Sequence, residues 1–298
     1  MLIVRDIPTV RKTLAEWCHH QHSVAVVLTM GNLHAGHLSL LDIAAQTAQR
    51  VVATLFVNPM QFDRRDEVAR YPRTFQQDCE KLIAKGVDLL FCPDNSVIYP
   101  HGTEHITRVE VPGVTEILCG AHRPGHFTGV TTVVSKLFNI LRPDVAVFGE
   151  KDYQQVQVIR RVCEDLNFPV RIVAGPTIRE EDGLAMSSRN NYLTASERDQ
   201  APMLRQTLLE TAETVIAGER DFARLEQAGM LKLRGCGFTP EYVSILARDL
   251  GRPEQREPSE LIVLASVWLG KARLLDNVSL RDLLHDVSAN LAERIGSL

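Results

Sequence analysis

Cysteine is sparse and unpaired in this chain: six are scattered over 298 residues, and none stands in a C-x-x-C pair. That spacing argues against a disulfide frame or a zinc ribbon and fits reduced thiols in a cytoplasmic protein. Long apolar runs are missing as well, since no stretch approaches the ~20 residues that a membrane helix needs. The opening "MLIVRDIPTV" carries Arg5 and Asp6 among its first apolar residues and lacks a signal-peptide core, so no membrane partner is expected. Positive charge is in deficit: 33 Lys and Arg stand against 37 Asp and Glu, a formal net charge of −4, so nucleic acid is not an expected partner. The Gly-rich phosphate fingerprints fail too. Gly270-Lys271 is followed by Ala272, and "GCGFTP" at 235–240 breaks the G-x-G-x-x-G pattern at its last position.

What is present is an alternation. "SVAVVLTM" reads as a buried strand and "HLSLLDIAAQTAQR" as a helix. "VVATLFV", "TFQQDCEKLIAKG", "VDLLF", "TGVTTVVSKLFNILRPD", "VAVFG", "YQQVQVIRRVCEDLN" and "VRIVAG" continue strand and helix in turn. Near-continuous apolar strands separated by helices predict an α/β fold, a Rossmann-like doubly wound parallel sheet. After residue 185 the pattern changes. One long helix is expected from about Ser196 to Ala217 and a shorter one from Phe222 to Met230. Strands "EYVSILA", "LIVLASVWLG" and "ARLLDNV" follow at hairpin spacing, with a final helix after them. The expected domains are therefore 1–184, nucleotide- and substrate-binding, and 185–298, a smaller α+β lid.

The stretch "LTMGNLHAGHLSLLDIA" (28–44) holds the most informative chemistry. His34 and His37 lie where the first long strand ends and its helix begins, the place where open parallel sheets bind ligands. The start of a helix offers free N–H groups and a partial positive charge, which suits phosphate. Gly31 and Gly36 leave room for close approach to the backbone. Two imidazoles there can donate hydrogen bonds to a phosphate as charge develops on it. Zinc is not expected, because no third ligand stands at a recognisable spacing.

These residues carry a resemblance. "TMGNLHAGH" resembles the H-x-G-H signature of the nucleotidylyltransferase superfamily, and within it the chain is similar to the pantoate–β-alanine ligases. "FVNPMQF" (56–62), "RPGHFTGVTTVVSKLFN" (123–139), "FGEKDYQQ" (148–155), "AMSSRNNYL" (185–193) and "ARLLDN" (272–277) extend the likeness over nearly the whole chain. The resemblance implies a two-step ligation. Pantoate attacks the α-phosphorus of ATP to give pantoyl adenylate, and β-alanine then displaces AMP. It implies ATP contacts from Met30, Gly31, Asn32, Leu33, His34, Ala35, Gly36 and His37, with His37, aided by His34, as proton donor. Gly149, Glu150, Lys151 and Asp152 are further nucleotide contacts, as are Ile178 and the loop Met186, Ser187, Ser188, Arg189.

Gln61 would bind pantoate and β-alanine, and Gln155 pantoate. An amide can hold hydroxyl and carboxylate oxygens without a positive charge that would blunt the nucleophile. Arg123, Lys136 and Tyr71 are further pocket candidates. Magnesium is implied by the triphosphate's charge, with no dedicated protein cage in view. The family also suggests a homodimer. Two departures stand out: Leu28 replaces the family's usual proline before Thr29, and Ala185 replaces the first lysine of the superfamily's K-M-S-K-S loop.

Overall fold

The structure is a computed structural model that describes residues 1–62, 68–69 and 71–285. The chain divides into two compact units, Met1–Ile178 and Arg179–Leu298.

The first unit realises the predicted alternation. Strands β1 (Leu2–Val4), β2 (Val24–Thr29), β3 (Arg50–Leu55), β4 (Leu89–Phe91), β5 (Val145–Gly149) and β6 (Arg171–Gly175) form one sheet in the order β1-β4-β3-β2-β5-β6. Every pairing in it is parallel. The two-residue period of the strands sorts side chains onto two faces. Val26, Val52, Phe91 and Ala146 join a core with helices α1 (Ile7–His19), α4 (His126–Leu141) and α5 (Tyr153–Asp165). Ala25, Val27, Val51 and Ala53 join another with α2 (Ala35–Thr47) and α3 (Phe75–Ala84). Both faces are covered, as a doubly wound sheet requires.

From β2 the chain builds outward through β3 and β4 on one side and through β5 and β6 on the other. The switch point therefore lies between β2 and β5, and the crevice outside their carboxyl ends is where such sheets take ligands. Leu28, which stands in place of the proline, keeps the ladder going: it pairs with Thr54 and packs on the core. Thr29 then closes the strand end, its Oγ1 donating to Thr54 O at 2.7 Å. The N-terminal residues form edge strand β1 and helix α1. Asp6 caps that helix by accepting from Thr9 N at 2.8 Å.

In the second unit, strands β7 (Thr239–Ala247), β8 (Leu261–Leu269) and β9 (Ala272–Ser279) form an antiparallel sheet with β8 in the middle. The single long helix expected over 196–217 is two, α6 (Ala195–Gln200) and α7 (Met203–Ile216). Pro202 has no N–H to continue the ladder, so the chain turns there. The next helix, α8 (Phe222–Gly235), outruns its expected end because Leu233 continues its buried face. Residues 280–285 begin the final helix, and the rest of that expected element lies outside the described residues.

The units divide after residue 178 rather than after 184. Arg179 pairs with Ala185 in an isolated bridge and makes a two-pronged ion pair with Asp276 on β9, at 2.7 and 2.9 Å. Those contacts fasten 179–184 to the second unit.

Candidate active site

Past β2 the chain makes a tight turn, with Gly31 at φ +92° and Asn32 at φ +53°. It then enters α2 with His34 as the N-cap. The two histidines cap each other's turn: Nδ1 of His34 accepts from Gly36 N at 3.1 Å, and Nδ1 of His37 accepts from His34 N at 3.3 Å. Their ring centroids are 4.0 Å apart. This is a capping box built from imidazoles instead of a hydroxyl and a carboxylate. Burial, with Lys151 nearby, pulls His34 down to about 4; burial and the neighbouring His34 pull His37 down to about 3. Both rings are therefore neutral at neutral pH. A neutral ring whose Nδ1 accepts carries its hydrogen on Nε2, so each histidine caps with one nitrogen and has an N–H donor on the other.

Beyond β3, Gln61 closes a short 3₁₀ turn, Pro59–Gln61. Asn58, 1% exposed, is the hub beneath it. Its Nδ2 donates to Gln61 Oε1 and to Gly129 O, each at 3.1 Å, and its Oδ1 accepts from Tyr99 Oη at 2.7 Å. With Oε1 engaged as an acceptor, the remaining function of the Gln61 amide is its NH₂ donor, the group that a carboxylate or hydroxyl oxygen requires. Gly129 lets α4 pack this close, because a Cβ there would fall 2.3 Å from Met60 O. Arg123 and His126 both hold the Gln61 carbonyl, at 3.1 and 2.8 Å. Arg123 is buried and thus supports the turn from behind. Lys136 sits 5.7 Å over the Tyr99 ring, and Tyr71 meets Phe62 edge to face.

At the carboxyl end of β5, Gly149 leads into the 3₁₀ turn Glu150–Asp152 and then α5. Lys151 and Asp152 lie 3.8 Å apart and act electrostatically on both histidines, so the β2 and β5 turns share one locality. The two glutamines that follow divide their labour. Gln154, 5% exposed, spends its amide on Cys119 N, Val114 O and Ile117 O. Gln155, the one singled out in sequence, is only half-buried. Ile178 closes the first unit after β6.

In the second unit, Met186 leads to the 3₁₀ turn Ser188–Tyr192, where Ser187 Oγ accepts from Arg189 N at 3.2 Å. Asn190 Nδ2 holds Ala185 O at 3.1 Å, so the loop is braced by its own polar groups.

Sequence reasoning missed four supporting residues: Asn58, Gly129, Asp78 and Lys81. Asp78 left a signal, because with Leu82 it lies on the buried stripe of α3, where a carboxylate must have partners. Gly129 left none; only the approach of the 59–61 turn explains it.

The chain is similar to known proteins over nearly its whole length. A sequence model described as pantoate-beta-alanine ligase matches residues 2–279. The chain is 51% identical over 282 residues to the pantothenate synthetase of Nitrosococcus oceani, covering 94% of this chain and 98% of that one. It is 53% identical to that of Thioalkalivibrio sulfidiphilus, over 89% and 93%. Among solved structures it resembles pantothenate synthetase from Thermus thermophilus, with TM-score 0.86, 41% identity, and coverage of 94% and 99%. It also resembles the Francisella tularensis pantoate-beta-alanine ligase, solved with beta-gamma ATP and beta-alanine, with TM-score 0.79, 33% identity, and coverage of 94% and 98%. By sequence and by fold, this chain belongs to the pantoate–β-alanine ligase family.

Proposed function

We infer that the chain joins pantoate to β-alanine at the expense of ATP, giving pantothenate, AMP and pyrophosphate. The observation that carries this reading is the pair of mutually capped histidines at the switch point of the sheet. In the first step a pantoate carboxylate oxygen attacks the α-phosphorus, and the bond to the β-phosphate oxygen breaks as pyrophosphate leaves. In the second, the amine of β-alanine attacks the acyl carbon, AMP leaves with the bonding electrons, and the amine proton passes to solvent. A carboxylate has no good leaving group of its own; adenylation supplies one.

The neutral rings fit a particular role. His34 and His37 donate Nε2–H hydrogen bonds to the departing pyrophosphate and need not surrender a proton. Met30 to His37, Gly149 to Asp152 and Ile178 are the proposed nucleotide contacts of the first unit, and Met186 to Arg189 are nucleotide-contacting residues proposed for the second unit from the family resemblance. Lys151 supplies fixed positive charge. Gln61 holds pantoate and later β-alanine, and Gln155 holds pantoate. ATP enters as its magnesium complex, with the ion carried on the phosphates. The same reading carries a homodimer and a cytoplasmic location.

Labelled pyrophosphate tests the scheme. With ATP and pantoate alone it should exchange into ATP, and with ATP and β-alanine alone it should not. A requirement for all three substrates would replace the free-standing adenylate with a concerted reaction.

A further inference from the structure

Gly31 and Asn32 hold successive left-handed backbone angles. A turn of that kind points neighbouring N–H groups toward one side and forms a small anion-binding concavity. Beside a nucleotide site, its obvious occupant is phosphate. Here the occupant is the protein's own carboxylate. Asp78 on α3, 1% exposed, accepts from Asn32 N at 2.9 Å, from Leu33 N at 2.8 Å and from Thr74 Oγ1 at 3.0 Å. One turn along the same helix, Lys81 Nζ donates to Leu33 O at 2.6 Å. A Cβ at position 31 would lie 3.2 Å from Asp78 Oδ2, so the turn and the carboxylate are fitted to each other. Helix α3 thus grips residues 32–33 by two N–H groups and one carbonyl, immediately before His34.

We propose that Asp78 is a positioning residue for the adenylation step, an internal anion that fills the concavity at residues 32–33 and sets His34 and His37 in place. The proposal rests on the ligase reading above and adds to it in two ways. The backbone N–H groups of Asn32 and Leu33 are committed inward, so they are not phosphate ligands, and nucleotide contacts from this turn come from other atoms. The direction in which the two Nε2–H donors point is set by α3 as well as by α2, because the residues α3 grips, Asn32 and Leu33, immediately precede the N-cap His34.

A carboxylate is needed chemically. Two N–H donors and one hydroxyl converge on its two oxygens. Asparagine would keep one oxygen and turn an NH₂ group against a donor, leaving a buried N–H unmatched. In the full-length protein, Asp78→Asn should lower the rate of pantoate-dependent pyrophosphate exchange by about 10- to 100-fold, the scale of one buried unsatisfied donor. The KM for pantoate should stay within about two-fold, because Gln61 and Gln155 stand on other elements. A second readout is the ¹⁵N spectrum of the histidines, assigned by single His→Gln replacements. The native protein should show His34 and His37 as Nε2–H tautomers, and Asp78→Asn should show mixed tautomers at both.

Should Asp78→Asn fail to fold, Thr74→Val removes only one of the three hydrogen bonds and should lower exchange several-fold with the same tautomer mixing. A folded Asp78→Asn protein with native exchange or native tautomers overturns the proposal, as does an unchanged Thr74→Val protein. Absence of exchange in the native protein would instead sink the ligase reading, while the tautomer measurement would still judge Asp78.

Discussion

The two sheets dispose of their charges in opposite ways. In the parallel sheet, β2 and β5 carry no ionisable side chain from Val24 to Thr29 or from Val145 to Gly149; the histidines, Lys151 and Asp152 come just past the strand ends. In the antiparallel sheet the charges lie within the strands. Glu241 on β7 reaches across Ser266 and Trp268 of β8, each donating at 2.8 Å, to Arg273 on β9, which donates at 2.6 and 2.9 Å. Burial pushes the Glu241 carboxyl up, and the hydrogen bonds from Arg273, Ser266 and Trp268 together bring it below its usual range. Asp276, also on β9, holds Arg179. A sheet covered on both faces has no place for a charge except at its ends, and the ends are where a ligand meets the chain. Charges inside a sheet serve the sheet instead.

That contrast can be broken most forcefully at Arg179. Arg179→Ala would strand the Asp276 carboxylate, 2% exposed, and should cost about 3–5 kcal/mol of stability in the second unit. Denaturant unfolding followed by a probe in that unit would measure it, and a loss below about 1 kcal/mol would mean that water replaces the arginine. At the first unit's strand ends the effect should fall on rate instead. His37→Ala should keep the fold and lower adenylation by about 10²–10³, the scale of one transition-state donor. If His37→Ala lost stability but kept its turnover, the ring would be a cap and nothing more.

Smaller still is Gln155→Ala, which should raise the KM for pantoate roughly ten-fold, the worth of about one hydrogen bond to a charged group, with little change for ATP. The mirror result would move Gln155 to the nucleotide side. The smallest expected effect is on pH. With His34 and His37 pulled down to about 4 and about 3, both stay neutral from pH 6 to 8, and neither should impose an ionisation on the rate in that range. A histidine acting as a charged acid would instead lose rate as pH rises through 6.5. Stability has its own sign. The unfolded rings take protons near 6.5 and the folded ones resist them, so the contribution is complete above that value and is lost as pH falls through about 4 for His34 and about 3 for His37.

The alternation of the first unit was legible because parallel strands leave unbroken apolar runs, and "SVAVVLTM" is one. The histidine turn was legible because two imidazoles and two glycines at a strand end have few structural uses. Elements decided by contacts distant in sequence were harder to see. Strand β1 has only three residues and gains its identity by pairing with β4, far along the chain. The division after residue 178 depends on Arg179 reaching Asp276. The break at Pro202 is masked in the sequence by a helical period that runs on both sides of it. Gln154 and Gln155 are chemically identical; only their positions on α5 separate a buried brace from a half-buried side chain. The hub of hydrogen bonds that Asn58 makes to Gln61, Gly129 and Tyr99 exists only in three dimensions.

The double duty of the two imidazoles has a mechanical consequence. Asparagine would reproduce the capping acceptor with its amide oxygen and glutamine the outward donor, but neither could do both on one inflexible plate. The capping bonds fix χ1 and χ2 of each ring, so each Nε2–H is registered to the axis of α2 while those bonds hold. A rotamer hop would have to break a cap, and with the caps intact the donors travel with the helix. Any ligand that draws them closer must move α2 as a rigid lever, and the work of that motion is borne by the sheet on which the helix rests.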